Sequence, residues 1–136
     1  METLQIIQLL EATQIFEKKL NMALMYSGLR IPQFRAMMFL EKSGKITISD
    51  LSRYLNITRA TMSVLATELL KADIIENIKN PNDKRSFYMK LTESGQRRLS
   101  LARKEVELVQ EKISEDLPPE MIASLNTIVN SMIAKS

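Results

Sequence analysis

The stretch from Thr47 to Asp73 constrains this chain most, because its caps and apolar spacing fit two short helices joined by a tight turn. Thr47 is placed to cap the first helix. Asp50, three residues on, completes a capping-box pattern and sits beside the positive helix end. Leu51 and Leu55 fall four apart on one face, with Ser52, Arg53 and Tyr54 as the polar residues between them. Asn56 is a natural stop, since Asn tolerates the left-handed backbone that ends a helix. Ile57 is expected to plug the space under the turn. Thr58 should then cap a second helix with Met62, Leu65 and Leu69 inward. The outer face near its start offers Thr58, Arg59, Thr61 and Ser63. Small polar side chains with one Arg at a helix N-terminus suit a surface that meets phosphates and base edges in a major groove. An ordinary helical hairpin with a wet polar face satisfies the same pattern.

The next part of the chain favours the DNA-meeting surface. Two strand-like runs, Ile74 to Lys79 and Ser86 to Leu91, flank the polar turn Asn80-Pro81-Asn82-Asp83-Lys84-Arg85. In the second run Phe87, Met89 and Leu91 alternate against Tyr88 and Lys90. Two strands and a basic hairpin tip directly after two capped helices predict a winged helix-turn-helix, mainly α with a small β wing. Asn82, Lys84 and Arg85 would reach a minor groove or backbone phosphates, and Arg53 would add a contact from the first helix. Asp83 stands two residues before Arg85, a spacing that can lock the turn and hold Arg85 in position.

The flanks read as amphipathic helices. From residue 3 to about 27, Ile6, Leu9, Leu10, Thr13, Phe16, Leu20 and Leu24 recur at helical spacing until Gly28 breaks the pattern. Pro32 suits the first turn of a helix running through Phe34, Met37 and Met38 to Gly44. Lys45 to Thr47 is a short extended piece. Thr92 caps a long helix with a stripe of Leu99, Ala102, Val106, Val109 and Ile113. Arg97, Arg98, Arg103 and Lys104 near its start read as a solvated face. Pro118 and Pro119 end it and begin a last helix carrying Ile122, Leu125, Val129 and Met132 on one side, with Ile128 and Ile133 beside them. Terminal helices that cannot hide their stripes within so small a domain are expected to pair with a second subunit. The expected division is one domain, with residues 3–27 and 105–134 as N- and C-terminal dimerisation helices and 32–92 as the DNA-binding region.

Composition narrows the chemistry. The 136 residues include no cysteine and no histidine, so a thiolate zinc site, a thiol switch and the usual general base are excluded. The three glycines are isolated and cradle no phosphate, and the acids lie at solvated helical spacings, so no enzyme, metal or cofactor is expected. From Gly44 to Leu91, eight basic residues oppose five acids, and that margin accounts for the whole net charge of +3. A polyanion partner is expected at that face. No apolar run reaches the roughly 18 residues of a membrane span, and no targeting pattern opens the chain, so a cytoplasmic address is expected.

Several of these residues resemble the MarR family of bacterial transcription regulators. Asp83 to Thr92 fits the family's D-x-R-x(5)-L-T wing pattern, and Gly95 completes L-T-x-x-G. Thr47 to Leu70 fits the DNA-reading pair, and Pro32-Gln33-Phe34 resembles the start of the family's second helix. The resemblance implies an obligate homodimer on pseudo-palindromic operator DNA, usually a repressor relieved by a small ligand. By the same analogy, an aromatic acid would sit under the second helix of the pair among Met22, Met25, Tyr26, Arg30 and Met38, where core filling is the competing role for the methionines. The chain departs from the family in two places. Ser63 is followed by Val64 where an Arg is common, and Asp73 stands where a glycine is usual. The sparse basic character of that helix supports an alternative, a winged-helix adaptor or anti-repressor that binds protein instead of DNA.

Overall fold

The computed structural model describes residues 4–135, with side chains through residue 131. The expected helix start at Thr3 and the side chains of Met132 and Ile133 lie outside the described residues. In chain order the elements are α1 (Gln5–Leu24), α2 (Ile31–Ser43), β1 (Ile46–Thr47), α3 (Ile48–Leu55), α4 (Arg59–Lys71), β2 (Ile75–Lys79), β3 (Phe87–Leu91), α5 (Glu93–Asp116) and α6 (Pro119–Lys135). The architecture is mainly helical with one small antiparallel sheet, a winged helix-turn-helix.

Three of the helix stops use one device. After α1, α3 and α4, the residue in the left-handed region is Gly28, Asn56 and Asp73 in turn. In each case the next amide reaches back five residues: Leu29 to Leu24, Ile57 to Ser52 and Ile74 to Leu69. The preceding amide reaches back three, so all three are Schellman stops, each followed by an apolar residue turned onto the core. This geometry shortens two expected elements. The first helix ends at Leu24 instead of about 27, and the first wing strand begins at Ile75, because the Ile74 amide is spent on Leu69.

The extended piece before α3 is a true strand. β1 pairs with β3, giving the sheet order β1-β3-β2, with Ile46 opposite Met89 and Asn77 opposite the same residue from the other side. Met89 and Leu91 are buried, but Phe87 is 48% exposed, which corrects the expected inward alternation at that end. The reason is reach: Phe87 pairs with Lys79, where the hairpin has run out past the core. Tyr88 instead receives the Lys45 ammonium over its ring at 4.8 Å.

The core gathers Leu24, Met37, Leu40, Leu51, Met62 and Leu69 against Ile74, Met89 and Leu99. Met37 fills this core, whereas its neighbour Met38 faces outward. Ser52, expected on the polar side of α3, is buried and donates to the Ser49 carbonyl. The basic cluster on α5 is also more than a solvated face. Arg98 donates to the Ser27 and Gly28 carbonyls, tying α5 to the end of α1. Arg103 pairs with Glu41 of α2, and that hydrogen bond, more than any other cause, raises the already high guanidinium pKa. These struts fix the long helix to the domain that carries α3 and α4.

Among the described residues, α6 packs closely against no other element of the chain. Its Leu125, Ile128 and Val129 stand about half exposed, as do many apolar residues of the first turns of α1. Among the described residues, no helix is long and apolar enough to cross a membrane.

Candidate nucleic-acid interface

The candidate site is built on α3, α4 and the β2–β3 hairpin. Thr47 caps α3 as expected, its hydroxyl accepting from the Asp50 amide at 3.2 Å. The capping box is only half made, because the Asp50 carboxylate pairs with Arg53 one turn further on. That ion pair leaves the Arg53 side chain 78% exposed, free to exchange its partner for a phosphate. Asn56, at φ 55°, turns the chain sharply into α4.

Thr58 caps α4 by accepting from the Thr61 amide at 3.1 Å, and its hydroxyl donates to that of Thr61 at 2.7 Å. The cap fixes where α4 begins, and so where Arg59 emerges. Met62, Leu65, Ala66 and Leu69 bury the inner side of α4, so Thr58, Arg59, Thr61 and Ser63 all remain exposed near its start. Four of the expected contact residues are therefore exposed around the first turns of α4. Further along, Glu68 is held by Arg30 and by Gln33, the latter donating at 3.0 Å. This bracket ties the last turn of α4 to the start of α2.

The wing turn is braced by hydrogen bonds from its own side chains. Asn80 accepts from the Asn82 amide at 3.0 Å and donates to the Ser86 hydroxyl at 3.1 Å. Asp83 accepts from the Arg85 backbone amide at 2.9 Å. The aspartate thus holds the Arg85 main chain and leaves the guanidinium unpaired by it. Asn82, Lys84 and Arg85 are all exposed at the tip. Asn80 is the residue that sequence reasoning missed here. An Asn before Pro at the start of a tight turn was the available signal, since its amide can bond the backbone two residues on.

Neither of the two cavities on α1 gathers all five residues expected around an aromatic ligand. Met22 and Tyr26 line a groove of about 460 Å³ between α1 and α5, together with Phe16, Leu108 and Ile113. Met22 and Met25 line a shallower depression on α1. Arg30 lines neither and is already engaged with Glu68, and Met38 sits apart on α2. Tyr26 is 88% exposed.

Comparison with known proteins agrees with this geometry. The model of the MarR family matches residues 29–87, which span α2, the helix pair and most of the wing. The HTH-type transcriptional regulator FarR of Neisseria gonorrhoeae is 26% identical over 123 residues, 90% of this chain and 84% of that protein. Among solved structures, the transcriptional regulator PA4135 superposes with a TM-score of 0.85 at 25% identity, covering 96% of each chain. A mutant MarR from E. coli, complexed with operator DNA, superposes with a TM-score of 0.85 at 21% identity, covering 95% of this chain and 94% of its own.

Proposed function

We propose that the chain is a MarR-family transcriptional regulator that acts as a homodimeric repressor on pseudo-palindromic operator DNA. In this reading residues 32–92 bind DNA and the stretches 3–27 and 105–134 hold two subunits together. The observation that carries it is the exposure of Thr58, Arg59, Thr61 and Ser63 around the start of α4, beside a wing whose basic tip is braced by hydrogen bonds from Asn80 and Asp83. Superposition on an E. coli MarR complexed with operator DNA supports the reading, in which α4 enters a major groove and the wing lies alongside.

Binding to random duplex DNA across a salt series tests the reading. A regulator of this kind loses affinity steeply as salt rises, because phosphate contacts release counterions. No salt-dependent binding would leave only the adaptor alternative. The same measurement separates the arginines. Arg59, on the first turn of α4, is assigned to base edges, where losing a bidentate contact costs about 1–3 kcal/mol against the preferred sequence. Arg85 is assigned to the backbone or minor groove, where loss weakens all sequences and lowers the salt slope by about one unit. Arg59→Ala is therefore expected to narrow the gap between operator and random DNA, and Arg85→Ala to weaken both. Asp83→Ala should behave as a milder Arg85→Ala, since it frees the Arg85 backbone without removing the charge. An unchanged specificity ratio in Arg59→Ala would remove Arg59 from the base-reading contacts.

Release by a small aromatic acid rests on the family resemblance. Aromatic carboxylates that lower operator affinity would support it, and a panel that shifts neither affinity nor melting temperature would count against it.

A further inference from the structure

We propose that the reading surface selects thymine through an apolar centre, with Val64 packing against thymine C5-methyl groups in the major groove; this rests on the DNA-binding reading. At about 100° per residue, the buried line of Met62, Leu65, Ala66 and Leu69 puts Ala60, Val64, Thr67 and Lys71 directly opposite it. These four, and not Arg59 or Thr61 at the edges, form the outermost stripe of α4. Val64 is 61% exposed. A β-branched side chain on a wet helix surface forgoes both helix propensity and burial, so it gains nothing from this chain's own fold.

The surroundings of Val64 fit a groove. The Thr67 hydroxyl donates to the Ser63 carbonyl at 2.9 Å, so its one proton is committed to the helix's own backbone. Glu68, the sole acid of α4, is drawn off by Arg30 and Gln33. The stripe therefore presents the methyl groups of Ala60, Val64 and Thr67 with Lys71 at its far end, and the sole acid of α4 is already partnered. The major groove is the complementary surface. Its edges are phosphate, and of the four bases thymine alone offers a methyl there. Valine makes no hydrogen bond, so its discrimination is for thymine over cytosine at the positions it covers.

The test starts from duplexes selected by the wild-type protein from a random pool. Each thymine of one half-site is then replaced by deoxyuridine, which deletes only the methyl group. At one or two positions the wild type is expected to lose affinity roughly fourfold, the equivalent of about 0.8 kcal/mol for a methyl-sized apolar contact. Val64→Ala should be insensitive to deoxyuridine at those same positions. Because Val64 is exposed and alanine favours helix, this variant keeps its fold, which its melting curve checks. The proposal is overturned if no deoxyuridine substitution weakens the wild type, or if the loss is as large in Val64→Ala. Failure to enrich any duplex over random DNA would overturn it differently, by removing the sequence-reading function on which it rests.

Discussion

Gly95→Ala is expected to cost about 3 kcal/mol of folding stability or more, a large penalty for a single methyl group. A Cβ built at Gly95 lies 2.1 Å from the Ile74 carbonyl oxygen and 3.0 Å from its carbon. The obstruction is backbone, so no side chain can swing aside. That carbonyl is also committed, accepting from the Thr92 amide at 3.0 Å and from the Thr92 hydroxyl at 3.2 Å. The same hydroxyl caps α5 by accepting from the Gly95 amide at 2.9 Å. Moving Ile74 to admit a methyl therefore strains the start of β2 and the cap of α5 together. The other glycines provide internal controls. Gly44, at φ +81° and ψ −56°, has nothing within 4 Å of a built Cβ, so Gly44→Ala meets no clash and should cost only the backbone strain of that sparsely populated conformation, about 1–3 kcal/mol. At Gly28, φ +67°, the nearest atom is the Arg98 Nη2 at 3.0 Å, the end of a flexible side chain. Denaturant unfolding of the three variants should rank Gly95 well apart from the other two. Equal losses at Gly95 and Gly44 would mean that the α5–β2 approach is looser than described.

Why Gly95 tolerates no side chain was not legible in the sequence, although its place in a first turn was. The contact that decides it comes from Ile74, a residue far away in the chain, and no local pattern reports such an approach. The local signals fared differently. Thr47, Thr58 and Thr92 each cap the helix they precede, and Asn56 adopts the left-handed backbone, because caps and stops depend on a residue's own neighbours. Asp73 follows the same rule at φ 58°, so the missing glycine changes no topology. Where two local partners compete, sequence is less informative. Asp50 had the Thr47 amide and Arg53 both within reach, and the charge won. Arg98 and Arg103 looked like solvated charges because their acceptors, Ser27, Gly28 and Glu41, are supplied by packing between distant helices. In the candidate site, the exposed set on α4 and the wing followed from periodicity and turn chemistry. The centre of the reading stripe did not, because a polar-residue search passes over Val64.

Leu125→Asp or Val129→Asp is expected to convert a dimer into monomers or unfolded chain, the largest effect anticipated for any surface change in this protein. Leu125 and Val129 are each 52% exposed and Ile128 50%, although all three are large and aliphatic. They lie on one side of a helix that has no close packing partner within its own chain among the described residues. At the other end of the sequence, Ile6, Leu9 and Leu10 of α1 are exposed by more than half. Fully burying such side chains contributes about 1.5–3 kcal/mol apiece, which a second copy of the chain would supply. An unpaired carboxylate in that surface costs about 3–5 kcal/mol, and a two-fold contact repeats the penalty in the other subunit. The dissociation constant should then rise on the order of ten-thousandfold or more. Thr127 lies on the opposite side of α6, so Thr127→Asp should leave association unchanged and controls for the charge itself. Sedimentation equilibrium at micromolar concentration is the measurement. A wild-type protein that sediments as a folded monomer would remove the dimer, and with it the two-fold operator that a pair of α4 helices would read.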